Sequence, residues 1–228
     1  MRTMLRTLLR RSPPTVEPVN DDLFRVAEVI GTVAFAVSGG YAAVRAGMDW
    51  LGVGVLAVVV AVGGGTLRDL LLGIHPIWWV REPDLLIVAC VTSVVVLVVA
   101  TVHPQSKLDT RRTVLYADAI GLAAFTVTGT SIALAHDVRP WIAVMFGVIT
   151  GAGGGVIRDV LVRRKPLVLV GEIYALASIA GGVAYTVLRE TEVPSGFAAA
   201  TAVALVLLIR VAAIRWHWRL PRFEEPEG

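Results

Sequence analysis

The sequence predicts an all-α integral membrane protein with seven transmembrane helices, arranged as two inverted three-helix repeats followed by one further helix. Hydrophobic residues make up 56% of the 228 residues and charged residues only 17%, with a mean hydropathy of +0.73. Soluble domains carry roughly a quarter charged residues. Apolar runs of about 20 residues, the length that crosses the hydrocarbon of a bilayer, recur along the chain. The motif Gly-Gly-Gly-x-x-Arg-Asp occurs twice, beginning at residue 63 and at residue 153.

Seven apolar segments have the length and composition of transmembrane helices. In chain order they are 24–45, 50–73, 84–101, 114–135, 141–162, 167–188 and 196–214. Membrane strands alternate in polarity over about ten residues, whereas these segments are apolar on both faces. Trp50, Trp78, Trp79 and Trp141 fall at segment ends, where tryptophan favours the headgroup level of the membrane.

The two halves of the chain match without a gap at the 90-residue offset between positions 63 and 153. Gly31 and Phe35 correspond to Gly121 and Phe125, and the acid Glu28 corresponds to an acid in the second half. Each copy holds three segments, an odd number, so the second copy enters the membrane from the opposite side.

This repetition divides the chain into five parts. They are a mobile N-terminal tail over 1–21, repeat 1 over 22–103, repeat 2 over 113–190, a seventh helix over 195–215 and a C-terminal tail over 216–228. Basic residues are richer on the side that holds the C-terminus. The positive-inside rule therefore predicts a multi-pass protein of the cell membrane, with the N-terminus outside and the C-terminus in the cytoplasm.

The glycine triplets of the second and fifth helices allow two interpretations. Glycine destabilises a helix interior by about 1 kcal/mol relative to alanine, so the triplets are expected to break both helices and serve as hinges. Broken helices at corresponding positions of inverted halves point to a transport site. Alternatively, small residues let helices approach closely. The glycines concerned are Gly63, Gly64, Gly65, Gly153, Gly154 and Gly155.

The Arg-Asp pair at the end of each Gly-Gly-Gly-x-x-Arg-Asp motif places charges inside apolar helices. A charge at the centre of the membrane costs at least about 2.5 kcal/mol, so these side chains are expected to reach the interface or to find partners. Neighbours at i and i+1 do not face each other on a helix. We therefore predict that Arg68 pairs with Asp159, and Arg158 with Asp69, across the pseudo-two-fold axis.

Glu28 and Asp118 lie near the starts of the first and fourth segments. They are either carboxylates at the membrane interface or the mouths of a path for cations. Together with Asp69 and Asp159 they outnumber Arg68 and Arg158, which favours a cationic or zwitterionic permeant.

Other functions lack a pattern in this sequence. The single cysteine, Cys90, forms neither an intrachain disulfide nor a metal site, and His75 has no histidine counterpart in the second repeat. We therefore expect no metal site, no enzymatic activity and no nucleic-acid partner.

The doubled Gly-Gly-Gly-x-x-Arg-Asp phrase, in a three-plus-three-plus-one arrangement of helices, resembles the prokaryotic trimeric intracellular cation (TRIC) channels. These channels are related to bacterial membrane proteins with paired glycine-transporter domains. The resemblance covers about residues 24–214. It implies a homotrimer in the lipid bilayer, with one pore in each subunit between the second and fifth helices.

The resemblance also implies the site and its ligands. The permeant would be K⁺ or Na⁺, no cofactor would be needed, and a phospholipid is expected beside the pore. Arg68 and Arg158 would gate the pore, with Asp69 and Asp159 beside them. The residues themselves leave two alternatives open: a secondary transporter of a small zwitterion such as glycine, and a scaffold subunit.

Overall fold

The computed structural model describes residues 21–102, 110–170, 173–191 and 193–218. The predicted N-terminal tail up to residue 20 and the predicted C-terminal tail beyond residue 218 lie outside these ranges. Eight helices and no strand occur within them. The helices are α1 (Asp21–Arg45), α2 (Trp50–Leu72), α3 (Trp78–Arg81), α4 (Pro83–Val102), α5 (Thr110–Ala135), α6 (Pro140–Leu161), α7 (Ala175–Arg189) and α8 (Ser195–Trp216).

Six of the described helices are long and apolar enough to cross a membrane: α1, α2, α4, α5, α6 and α8. The predicted count of seven transmembrane helices is therefore not confirmed, because one of the predicted segments contains a helix too short to span the membrane. The helix in the predicted segment 167–188 begins only at Ala175. Before it, the Leu167 N–H donates to the Asp159 side chain of α6, and the Leu169 N–H donates to the Pro166 carbonyl oxygen. The 15 residues of α7 extend about 22 Å, less than the roughly 30 Å of hydrocarbon.

The first helices of the two repeats, α1 and α5, pack antiparallel. Phe35 stacks on Phe125 with ring centroids 5.4 Å apart. Gly31 faces the Phe125 ring, and Gly121 faces the Phe35 ring. Because a later residue on α1 contacts an earlier residue on α5, the two helices run in opposite directions, as inverted repeats require.

The second helices of the repeats, α2 and α6, cross at their glycine triplets. Gly64 lies against the carbonyl oxygen of Thr150, and Gly154 lies against the carbonyl oxygen of Val60. A Cβ at either glycine would collide with backbone of the other helix. The glycines therefore bring the two backbones into direct contact.

The predicted breaks at the triplets do not occur. Helix α2 is continuous from Trp50 to Leu72, and α6 is continuous from Pro140 to Leu161. The helical cost of three glycines is offset by close packing between the helices, which is the alternative that the sequence left open. Helix α2 ends instead at Gly73, whose left-handed conformation (φ 70°) returns its N–H to the last turn.

The remaining helices surround this central group of four. Helix α4 packs on α1 and α2, and α7 makes the equivalent contacts with α5 and α6. Helix α8 has no counterpart in repeat 1 and covers α5 and α7, with Val206 and Ala202 buried against them. The two motif-bearing helices therefore lie at the centre of the molecule.

We predict that Gly64→Ala destabilises the protein, because its Cβ would overlap the Thr150 carbonyl oxygen and such overpacking costs about 1–3 kcal/mol. Gly54→Ala in the same helix is the matched control, since no atom lies within 4 Å of a Cβ there. Alanine there should even favour the helix by about 1 kcal/mol. Thermal unfolding in detergent measures both variants. Equal melting temperatures would show that the crossing is not tightly packed.

Candidate functional site

Each motif arginine pairs with the aspartate that follows it. Arg68 Nε donates to Asp69 Oδ1 over 2.8 Å, and Arg158 Nε donates to Asp159 Oδ1 over 2.8 Å. All four side chains are buried. Adjacent residues point to different faces of a helix. The arginine side chain is long enough to bend around its own helix, so its guanidinium reaches the carboxylate of the next residue.

The second oxygen of each aspartate fixes the loop that follows the helix. Asp69 Oδ2 accepts from the backbone N–H of Trp78 over 2.7 Å, and Asp159 Oδ2 accepts from the backbone N–H of Leu167 over 3.0 Å. Each carboxylate is therefore held by a guanidinium on one side and by a backbone amide on the other. The motif ties the end of its helix to the next segment in both repeats.

The predicted pairs between Arg68 and Asp159, and between Arg158 and Asp69, are wrong. Helices α2 and α6 run antiparallel and cross near Gly64 and Gly154. Each Arg-Asp pair begins four residues beyond the crossing, about 6 Å along its helix axis. Because the helices diverge in opposite directions, the two pairs lie toward opposite ends of the molecule.

The arginine of repeat 2 joins a larger buried network than its counterpart. Arg158 Nη1 lies 2.5 Å from Asp118 Oδ1 and donates to Ser38 Oγ over 2.6 Å. Ser38 in turn donates to the carbonyl oxygen of Val114 over 3.2 Å. Arg158 thus links its own carboxylate Asp159 to α1 and α5, with Asp118 fully buried at 0% exposure.

The equivalent acid in repeat 1 lies in a different environment. Glu28 Oε2 is 3.8 Å from Arg25 Nη1, and its side chain is 18% exposed. Arg25 also forms ion pairs with Glu82 and Asp84 near the start of α4. The two acids predicted as mouths of a cation path are therefore not equivalent: Asp118 is part of the buried network, whereas Glu28 is drawn toward Arg25.

Three side chains at this site were not singled out from the sequence. Ser38 and Tyr174 are too ordinary in an apolar segment to attract notice. Arg210 could have been identified from the sequence, because it is a charged residue deep within the last apolar segment. Its guanidinium carbon lies 4.6 Å from the centre of the Tyr174 ring, and both side chains are buried.

Polar side chains gather at the third glycine of the second motif. A Cβ at Gly155 would stand 2.9 Å from both Asp118 Oδ1 and Tyr174 Oη, and 3.7 Å from Arg158 Nη2. Asp118 Oδ2, Arg158 Nη2 and Tyr174 Oη are buried without a hydrogen-bond partner among the described residues. Buried polar groups gathered in this way are typically satisfied by water.

A cavity of about 180 Å³ leads from the surface to this network. Arg158 and Asp159 form its inner wall. Its outer wall holds the basic residues Arg45, Arg111, Arg164 and Lys165, which lie at or just beyond the ends of α1, α5 and α6. The repeat 2 end of the site is therefore strongly basic toward solvent.

A separate apolar crevice lies between α1 and α5. One part, of about 360 Å³, is lined by residues that include Val33, Val37, Ala117 and Ile120. A further part, of about 370 Å³, extends to α8. Within the described ranges, His, Cys, Asp and Glu form no cluster with the geometry of a metal site.

Comparison with known proteins relates the chain to bacterial membrane proteins. The family model described as Glycine transporter matches residues 25–101 and again residues 115–190. The UPF0126 inner membrane protein YadS of Escherichia coli K12 is 46% identical over 202 residues, covering 88% of this chain and 96% of the relative. This relative is an inner membrane protein.

Solved structures with the same fold are TRIC channels. The TRIC orthologue from Rhodobacter sphaeroides is 36% identical with a TM-score of 0.80, covering 85% of this chain and 98% of that one. A prokaryotic TRIC channel in 0.5 M KCl is 30% identical with a TM-score of 0.79, covering 85% of this chain and 96% of that one. The resemblance drawn from the doubled motif is confirmed.

We predict that Asp118→Asn lowers stability more than Glu28→Gln, although the two acids are repeat counterparts. Losing one partner of a buried ion pair costs up to about 3–5 kcal/mol, and Arg158 keeps Asp159 as a second partner. The long contact of Glu28 with Arg25 resembles a surface pair, worth about 1 kcal/mol or less. Thermal unfolding of both variants in detergent tests this order. The reverse order would contradict the asymmetry of the network.

Proposed function

The chain belongs to the Glycine transporter family, which includes the UPF0126 membrane proteins, and we propose that it is a channel for monovalent cations. The proposal rests on its likeness to TRIC cation channels at 36% identity over nearly their whole length. It places the permeation path inside one subunit, along the crossing of α2 and α6. The expected permeants are K⁺ and Na⁺.

Buried charged side chains give this proposal further support. Asp118, Arg158 and Asp159 form a continuous polar row that opens to a cavity at one end of the molecule. Apolar helices tolerate such groups only where they face protein or water. Among the described residues of the repeats, three buried carboxylates stand against the two buried motif arginines, which favours a cation over an anion.

The two arginines are expected to regulate the path. A guanidinium repels a cation at short range, and the repulsion is strong where water is sparse. Arg158 is held in place by Asp118, Asp159 and Ser38, so its position depends on α1, α5 and α6 together. A small movement of these helices would shift the charge relative to the path. Arg68, with Asp69, would act at the other end.

The assembly we propose is a homotrimer with one path in each subunit. The matched structure from Rhodobacter sphaeroides is that of a trimeric channel. Each subunit of this chain contains both motifs and the buried network, so the path does not require side chains from a neighbouring copy. Self-association would then serve stability and regulation.

We also propose a phospholipid beside the path. The basic side chains Arg111, Arg164 and Lys165 lie at helix ends, where headgroups are found, and Val37 and Ala117 begin an apolar crevice below them. A phosphate above and an acyl chain below would match this arrangement. Cation flux is expected to be higher in vesicles with anionic lipid than in vesicles of phosphatidylcholine alone.

A second candidate function is the transport of a small zwitterion such as glycine. The basic residues of the cavity and the unpartnered Arg158 Nη2 could hold a carboxylate. Inverted repeats also suit alternating access. This candidate would pass no ionic current but would show saturable uptake.

We predict unitary cation currents from the purified protein in a planar bilayer. Under a KCl gradient the current should reverse near the K⁺ potential, because the acids of the repeated helices favour cations. Proteoliposomes tested for uptake of labelled glycine provide the comparison. If the bilayer shows no unitary current and the proteoliposomes show saturable glycine uptake, the channel function is refuted in favour of the transporter.

We predict that Arg158→Gln raises the single-channel K⁺ conductance, because it removes a buried positive charge while Asp118 and Asp159 remain. Arg163→Gln is the matched control, since Arg163 is exposed and lies outside the cavity wall. Arg158→Lys, which keeps the charge, should restore lower conductance if folding is intact. Unchanged conductance in Arg158→Gln would place the path elsewhere.

A further inference from the structure

The third glycine of the first motif is covered by an indole ring. Trp78 is 4% exposed, and its ring lies directly against Gly65, with Cδ1 and Cε2 3.0 Å from the position of a Cβ. The sequence places Trp78 and Trp79 together at a segment end, and the structure buries the Trp78 ring within the protein. The ring fits only because residue 65 has no side chain.

The corresponding place in repeat 2 is polar. Val168 is the repeat counterpart of Trp78, and it is only partly buried. The atoms nearest to Gly155 are Asp118 Oδ1 and Tyr174 Oη. The two ends of the crossing therefore differ: an indole contacts the third glycine in repeat 1, and a carboxylate and a hydroxyl group contact it in repeat 2.

The repeat relationship shows where the indole lies relative to the polar row. The cavity at the repeat 2 end is walled by Arg158, Asp159 and Leu167. Their repeat 1 counterparts are Arg68, Asp69 and Ile77. The Trp78 N–H donates to Asp69 Oδ2 as the Leu167 N–H donates to Asp159 Oδ2, so Trp78 holds in repeat 1 the position of a residue that lines the entrance in repeat 2.

The segment that carries the indole is fastened to the site. The backbone N–H of Trp78 donates to Asp69 Oδ2 over 2.7 Å, so the ring and the motif carboxylate are held together. Just beyond the short helix α3, Glu82 and Asp84 both form ion pairs with Arg25 of α1. The segment that carries the indole is therefore held on one side by Asp69 and on the other by the Arg25 ion pairs.

The indole N–H is not satisfied where it lies. Trp78 Nε1 is buried and has no hydrogen-bond partner among the described residues, which costs free energy. The neighbouring Trp79 Nε1, in contrast, donates to Thr66 Oγ1 over 3.0 Å. Moving the Trp78 ring away from Gly65 would let its N–H meet water, which favours a second position for this ring.

We propose that Trp78 closes the repeat 1 end of the polar path and that the path opens when the ring leaves Gly65. The proposal rests on the channel function argued above. It assigns to Trp78 the role of a gate whose closed state is held by Asp69 and by the Arg25 ion pairs. The basic cavity of repeat 2 remains open to solvent in the same state.

The test replaces Trp78 by the residue of the other repeat. Trp78→Val should raise K⁺ flux into proteoliposomes severalfold, and Trp79→Val, at the adjacent partly exposed tryptophan, should leave it near the wild-type value. Gly65→Ala pushes on the ring from the opposite side and should raise flux in the same direction. It serves as the second route if Trp78→Val fails to fold as a monodisperse protein.

Hydrogen–deuterium exchange gives a readout that does not require conduction. Amide exchange over residues 68–72 should be faster in Trp78→Val than in wild type and unchanged in Trp79→Val, because the Trp79 indole donates to Thr66, outside this range. If the wild type conducts K⁺ and Trp78→Val alters neither flux nor exchange, the gate is refuted and the channel stands. If no variant conducts but exchange rises in Trp78→Val alone, the seal stands and the channel function is refuted.

Discussion

The contact between two glycine backbones at the centre of the molecule determines the rest of the structure. Gly64 and Gly154 let α2 and α6 cross with their main chains touching. A side chain at either position would push the helices apart, along with α1 and α5, which pack on them. The two halves of the protein therefore meet through an interface that only the smallest residue allows. Without it the buried network around Arg158 could not reach across from α6 to Ser38 on α1.

The antiparallel crossing gives one sequence motif two different tasks. Both aspartates hold an arginine and a loop amide in the same way. Beyond that shared frame the halves diverge, because Arg158 meets Asp118 while Glu28 turns toward Arg25. Duplication supplied a symmetric scaffold, and substitutions around it produced one end that is polar and accessible and another that is covered by an indole. A directional path needs such a difference between its ends.

The sequence predicted the class, the duplication and the charged residues of the site, because composition and periodicity report burial in a membrane directly. It did not predict the continuity of α2 and α6. A glycine triplet weakens an isolated helix, and only tertiary contact with Thr150 and Val60 reverses that effect. The partners of Arg68 and Arg158 were also missed, since a helical wheel ignores how far a long side chain can fold back. The buried ring of Trp78 has no signal in a sequence, because tryptophan at a helix end usually lies at the interface.

The crossing of α2 and α6 can be measured in the membrane by an intramolecular disulfide. Gly63 and Ile157 face each other across it: Ile157 Cγ1, which a cysteine sulfur would replace, lies 3.9 Å from a Cβ at position 63. In a Cys90→Ala background, the pair Gly63→Cys and Ile157→Cys should form an intrachain link on mild oxidation, whereas Gly54→Cys with Ile157→Cys should not. Failure of the first pair to link, or equal linking of both pairs, would contradict a crossing at the glycine triplets.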